Sequence, residues 1–536
     1  MPQQNTPYNQ PQPKGGMPPQ GMPMGPIMPP PPFMRKSKTW RERIMSRYGM
    51  GMHDTLQRDA LTVPRWLVLR PILFFFIAFA ACTYVFGYVM PIRLALVSGM
   101  SLVLFFYGCN VCSKHLKKTN EQIFIKNIFK IALIIRLIWV VYSYYVYNPD
   151  IYSKADGYGD DNSWYMDFAK NIVVWLKDGM PISFNNLRLL NSSAVDDVGY
   201  PIILAIEYLL TFETSDVFFP MLVKALVSAY CVKSIYYIAK RHYGPETARL
   251  AALFICFNPY MIFWCASMLK EAEMMFFCCL SVDNFDRTLS AGSKLTFRGL
   301  LPGILAGLLL FSFRTALGMV VFLAFFLHVV FVSHRIMDNG KKVLTGVLVG
   351  LILLVGMGDR LLTQTQQISE TVQSDAQKGN MEWRSQRRGG NSFAKYASAT
   401  VFAPLIFTIP FPTFNVANEE QIMQLELSGA YFIKNIMSFF VILVMLLLLA
   451  SGEWRKHVFI VAYTCGYLLV LVLSSFAQGG RFHAPIWPML MIFAAYGIQI
   501  ARGNKRLQRG FNLALLLEIL ICLGWNWFKL KGRGMI

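Results

Sequence analysis

Apolar stretches long enough to cross a bilayer recur between about residue 71 and residue 528. A helix needs about 20 such residues to span a hydrocarbon core of roughly 30 Å. No single soluble core can hide this many. Composition agrees: 55% of the 536 residues are hydrophobic and 15% are charged, against about 25% charged in soluble domains. In lipid every backbone N–H and C=O must be satisfied within the protein, which favours helices. The fold class expected is therefore an all-α polytopic membrane protein. A secreted domain, a cytosolic enzyme and an ordinary nucleic-acid binder are excluded.

The apolar pattern predicts about thirteen transmembrane helices, near 71–90, 93–112, 129–147, 217–239, 246–264, 270–285, 299–313, 316–333, 343–357, 431–450, 457–475, 484–500 and 511–528. With the N-terminus inside, the basic clusters at 114–118, 240–241, 287–298, 335–342, 455–456 and 502–509 all fall on the inner side, as lysine and arginine do in cytoplasmic loops. The net charge of +21 is thus mostly a topology signal, and no nucleic-acid partner is expected. The lipid bilayer is the partner.

Two long loops, 148–216 and 358–430, fall on the outer side, and the first is acidic. Two apolar segments inside them resist assignment as spans. Residues 200–212 are short and interrupted by Glu207, and residues 399–414 hold three prolines. Both read as interfacial or re-entrant helices. The chain then divides into a Pro/Gln/Met-rich tail (1–34) with a disordered composition, a basic juxtamembrane segment (35–70), the membrane domain (71–528) and a short tail (529–536). The proline-rich tail can dock a protein partner or simply be solvated. All ten cysteines lie in or beside apolar stretches, so no disulfide framework is expected, and the lone Cys109/Cys112 pair reads as small buried residues.

Chemistry concentrates at the outer ends of the spans. In the first long loop, Asp160 and Asp161 follow Gly157 and Gly159 and precede a helical stretch running to Lys177. Either acid can be a helix N-cap. Either can also be a general base toward a hydroxyl acceptor just outside the membrane. Ionisable residues beside apolar spans are costly and point to function: Lys270 and Glu271 at one outer turn, Arg314 at another, Arg481 and His483 at a third, and Arg384, Arg387 and Arg388 in the second loop. Individually each reads as a snorkelling or capping charge. Together they can surround one site in which cations hold a phosphate.

These residues resemble the membrane glycosyltransferases of the GT-C fold, which use polyprenyl-phosphate-linked sugars. The first loop has Asp161, Tyr165 and Ala169 in an Asp-x-x-x-Tyr-x-x-x-Ala pattern. GYPIILAIEYLLTF at 199–212 is similar to the family's interfacial helix. The run from Arg241 through Asn258-Pro259 to Lys270 and Glu271 resembles its charged outer turn, and Arg481, Pro485 and Pro488 its late span start. Many members carry Asp-Glu where this chain has Asp161-Asn162, and often Asp where it has Glu271.

The resemblance implies transfer of a sugar from a polyprenyl-phosphate donor to a hydroxyl of a glycan, lipid or protein acceptor, with inversion, at the outer face of what is expected to be a bacterial inner membrane. Asp161 (with Asp160 as alternative) would be the base, and Glu271 would orient the acceptor or hold a cation. Lys270, Arg314 and Arg481 would bind the donor phosphate. Tyr165, His483, Arg384, Arg387 and Arg388 would contact substrate. A Mg²⁺ or Mn²⁺ cofactor is compatible with the acids, although no ligand set is diagnostic. Two other readings stand beside it. An envelope glycan polymerase or ligase would depend on Arg384, Arg387 and Arg388. A lipid-linked glycan flippase would show inverted repeats and midplane charges, neither of which the sequence displays.

Overall fold

The computed structural model describes residues 61–87, 91–146, 159–190, 197–211, 217–290, 297–332, 399–414, 427–473 and 479–536. The long helices are α1 (Trp66–Phe86), α2 (Ile92–His115), α3 (Glu121–Val146), α4 (Gly159–Lys177), α5 (Gly199–Leu210), α6 (Phe218–Cys256), α7 (Glu271–Ser290), α8 (Phe297–Phe313), α9 (Thr315–Val332), α10 (Ser428–Ser451), α11 (Val458–Leu473), α12 (Trp487–Arg502) and α13 (Lys505–Lys531). Among the described residues, seven spans qualify as membrane-crossing by length and composition. Every expected span falls on a helix except 343–357, which lies outside the described residues.

α6 is the central post. It packs against α3, α7 and α12, while α7 continues the bundle through α8 and α9 to α11, and α12 continues it through α10. α1 and α13 pair at the rim. The apolar stretch of α12 is 83% buried and that of α13 only 28%, which separates centre from edge. At the edge, Leu73, Met100, Ile138, Leu516 and Leu520 point outward, whereas Arg136, Lys224, Asn258, Lys434 and Asn526 are buried. An apolar exterior over buried polar groups is what a lipid solvent selects.

Two sequence features shape α6. Gly244 has φ +84°, and Pro245 follows it. The left-handed backbone suits glycine and turns the chain back on itself, so the expected spans 217–239 and 246–264 become two arms of one hairpin. Arg136 of α3 touches both arms. Its Nε donates to Ser228 Oγ at 2.8 Å, and its Nη1 and Nη2 donate to the Cys256 and Ile255 carbonyls at 3.1 Å. The second arm ends at Asn258-Pro259, where Asn258 Oδ1 accepts from the Tyr260 and Met261 amides at 3.0 and 3.2 Å. An arginine thus satisfies the carbonyls on one side of the break and an asparagine cap the amides on the other.

The hairpin separates two ends of the bundle. Around Gly244 gather Lys240 with Glu121, Arg241 with Asp283 and Asp286, and His242 with Asp286 and His457. Arg249 holds the Leu116 and Thr119 carbonyls there. The described parts of the basic loops near 114–118, 240–241 and 455–456, expected on one side, therefore meet at one end. α4, α5 and the turns before α7, α9 and α12 meet at the other. α5 has 12 residues, about 18 Å of helix and too short to span. The 399–414 segment is broken backbone whose carbonyls are taken by neighbours: Thr413 by Ser428, Ile409 by Lys434, Thr408 and Pro410 by Asn435, and Pro412 by Asn526. Irregular backbone persists within an apolar bundle only when satisfied in this way.

Candidate active site

The described part of α4 begins at Gly159, so Asp160 and Asp161 sit within its first turn rather than at an N-cap. Acids are favoured there by the helix dipole. α4 packs on α5 through Tyr165, which is buried and meets the Tyr200 ring edge-on at 5.3 Å. This seats Asp161 over the bundle end with its side chain 46% exposed.

Arg481 comes to Asp161 from a helical turn at Gly480–Ile486. That turn lies close to the bundle because residue 480 is glycine; a Cβ there would overlap the Tyr431 hydroxyl. Tyr260, stacked on Trp487 at 4.4 Å, donates its hydroxyl to the Gly480 carbonyl. Arg481 Nη2 lies 2.5 Å from Asp161 Oδ2, and its Nε lies 3.7 Å from Glu271 Oε1. Glu271 is only 1% exposed, in the first turn of α7. One cation is therefore shared by an accessible carboxylate and a buried one.

Lys270, buried beside Glu271, donates to the Phe313 carbonyl at 2.6 Å and forms an ion pair with Asp197. The Tyr165 hydroxyl donates to the same Asp197 oxygen at 3.4 Å. Burial pushes the Tyr165 phenol above its ordinary pKa, with Glu271 adding to the rise, so it stays a donor. Arg314, at the junction of α8 and α9, donates to the Tyr467 hydroxyl at 3.0 Å and lies 4.6 Å from the Phe482 ring centre. Phe482 also faces the Arg481 guanidinium, at 5.3 Å.

Asp161, Tyr165, Lys270, Glu271, Arg314 and Arg481 thus meet at one end of the bundle, with Asp160 in the same helical turn as Asp161. Arg384, Arg387 and Arg388 lie outside the described residues. His483 lies at the same turn as Arg481. It is fully buried, with Nδ1 3.1 Å from Lys434 Nζ, and it braces the Arg481 turn from behind.

A second ionic group lies below. Glu273 faces away from Glu271, because two residues along a helix turn the side chain by about 200°. It pairs with Lys224 at 2.8 Å, and the Lys224 ammonium sits 4.1 Å from the Tyr200 ring centre. Asp197, Lys224, Glu273 and Lys434 are functional candidates that the three-dimensional arrangement singles out. Lys224 and Lys434 carried a usable signal as lysines inside apolar runs.

Residues 182–362, about a third of the chain, match the model of the Alg9-like mannosyltransferase family. The matched segment contains Asp197, Lys270, Glu271 and Arg314. No curated protein matches the chain. Among solved structures, the oligosaccharyltransferase AglB from the archaeon Archaeoglobus fulgidus, in complex with an inhibitory peptide and a dolichol-phosphate, is 13% identical with a TM-score of 0.41. That match covers 78% of this chain and 55% of AglB. An Archaeoglobus fulgidus oligosaccharyltransferase in complex with zinc and sulfate is 11% identical with a TM-score of 0.26, covering 63% of this chain and 44% of that one. The chain spans about half the length of these two proteins. Over that third of its length the chain is similar to the Alg9-like mannosyltransferase family, within a polytopic α-helical membrane protein.

Proposed function

We propose that this enzyme transfers a sugar from a polyprenyl-phosphate-linked donor to an acceptor hydroxyl at the outer face of the membrane, in the synthesis of surface or envelope glycan. The observation that carries the reading is the arrangement around Arg481: an accessible carboxylate at 2.5 Å, with Lys270 and Arg314 at the same bundle end. Asp161 takes the acceptor hydroxyl proton. The acceptor oxygen attacks the anomeric carbon as the bond from that carbon to the phosphate oxygen breaks, and the phosphate leaves with the electron pair. A single displacement of this kind inverts the anomeric centre.

Arg481, Lys270 and Arg314 stabilise the charge that grows on the leaving phosphate, where preorganised cations contribute most. Glu271, buried behind Arg481, holds the guanidinium in place. Asp161, Glu271 and Asp197 each face a cationic side chain, and among the described residues no three His, Cys, Asp or Glu side chains group as a metal shell. The chemistry proposed here uses side chains alone.

The test is transfer by the purified full chain in lipid, from a panel of polyprenyl-phosphate sugars to an envelope acceptor fraction. Transfer lost in Asp161→Asn at equal insertion supports the reading. Movement of labelled carrier across the bilayer without transfer overturns it in favour of a flippase.

A further inference from the structure

Asp197 takes no part in the steps above, yet three elements converge on it. One carboxylate oxygen receives the Lys270 ammonium, which leads into α7, and the Tyr165 hydroxyl from α4. The residue itself opens the turn into α5. Its backbone has φ +65°, which among the described residues makes it the non-glycine residue in the left-handed region. That conformation is uncommon outside glycine, although asparagine, aspartate and histidine tolerate it best, and it persists where surrounding contacts over-determine it, often at functional sites.

The surroundings of Asp197 do over-determine it. Gly199, two residues on, lies so close to α8 that a Cβ would overlap the Ser312 hydroxyl. The next residue along α8, Phe313, supplies the other acceptor of the Lys270 ammonium. The turn is thus anchored to the end of α8, and the same end of α8 holds Lys270. A buried ammonium between a carbonyl and a carboxylate is fixed in direction as well as in charge.

We propose that Asp197 is a positioning residue for the transfer reaction: it aims Lys270 at the donor phosphate and ties α4, with its base Asp161, to the turn that carries Lys270. This rests on the carrier-phosphate reading above. It is a role for the backbone and the carboxylate together, and variants separate the two. Asp197→Gly accepts the left-handed backbone and removes the carboxylate. Asp197→Asn accepts the backbone and keeps an oxygen for Lys270 and Tyr165, losing only the charge.

The experiment titrates farnesyl phosphate against the purified full chain in lipid nanodiscs, following tryptophan fluorescence, and measures kcat and KM for transfer alongside. Wild type, Asp197→Asn, Asp197→Gly, Lys270→Gln and the double variant Lys270→Gln/Asp197→Gly are compared. Asp197→Gly is expected to weaken farnesyl phosphate binding roughly tenfold, the scale of one charge-assisted hydrogen bond, and to lower kcat. Asp197→Asn recovers most of both. In the Lys270→Gln background, Asp197→Gly has little further effect on binding, because it acts through Lys270. Wild-type binding in Asp197→Gly overturns the proposal, and so does an equal loss with and without Lys270, which would make the effect merely structural. No binding of the probe by wild type overturns the carrier-phosphate reading itself.

Discussion

Arg481 lies 2.5 Å from Asp161, although the two residues belong to segments at opposite ends of the membrane domain in sequence. The same guanidinium lies 3.7 Å from Glu271. The two acids differ in setting: Asp161 is half exposed and Glu271 is buried. The buried acid is suited to holding the arginine, and the exposed one to meeting an acceptor. In the proposed reaction, this division would let one cation hold the base in position and still face the leaving phosphate.

Asp161→Asn is expected to reduce transfer by at least ~100-fold, the lower range for loss of a positioned general base. Its thermal midpoint should stay close to wild type, because an ion pair with one partner so exposed contributes about 0–1 kcal/mol. Transfer assays on equal amounts of inserted protein, with thermal unfolding in detergent, check both parts. A variant that unfolds early would make Asp161 a structural acid.

Arg481→Ala should behave differently, because it strips Glu271 of a cation. Removing one partner of a buried ion pair costs about 3–5 kcal/mol. Arg481→Ala is therefore expected to lose both stability and transfer, and Arg481→Ala/Glu271→Gln to regain part of the stability but none of the transfer. Unfolding midpoints of the single and double variants measure this coupling. An additive pair would show that Glu271 and Arg481 do not share their charge.

Much of this arrangement was legible in the sequence, for identifiable reasons. The two arms of α6 were expected as spans 217–239 and 246–264, and Lys270, Glu271, Arg314 and Arg481 stood out as charges at span ends, with Asp161 in the acidic outer loop. Asp197 did not, because it is one of many acids in its loop and only a left-handed backbone and a distant lysine single it out. His483 sits two residues after Arg481, but the tight turn sends the two side chains to opposite sides. Lys434 lies inside an otherwise apolar run, and it was the carbonyl of Ile409, brought in by the 399–414 segment, that gave it a partner.

Arg136→Met is expected to destabilise the bundle through backbone rather than charge. The arginine serves the carbonyls of Ile255 and Cys256 and the Ser228 hydroxyl, and methionine fills similar space with no donor. Each buried acceptor left unsatisfied costs about 1–3 kcal/mol. Arg136→Lys, with a single point donor, should fall between Met and wild type. Thermal unfolding in detergent orders the three, and a Met variant as stable as wild type would show that the end of the second α6 arm is satisfied without Arg136.

Glu207 supplies a pH dependence. It lies on the short helix α5, and both its carboxylate oxygens are buried without a hydrogen-bond partner. Burial, helped by the charge of Glu273, pushes its pKa up to about 8, against the pull of Lys224. The folded protein therefore binds this proton more tightly than the unfolded chain does. The resulting stability is fully present below the ordinary carboxylate range and is lost as pH rises toward about 8. Glu207→Gln keeps the shape of the protonated acid and cannot ionise. It should unfold at a temperature close to wild type at pH 5 and higher than wild type at pH 8.5, read from midpoints in detergent across that range. Parallel pH profiles for the two proteins would mean that the Glu207 carboxylate ionises without cost in the fold, in contact with water or a cation.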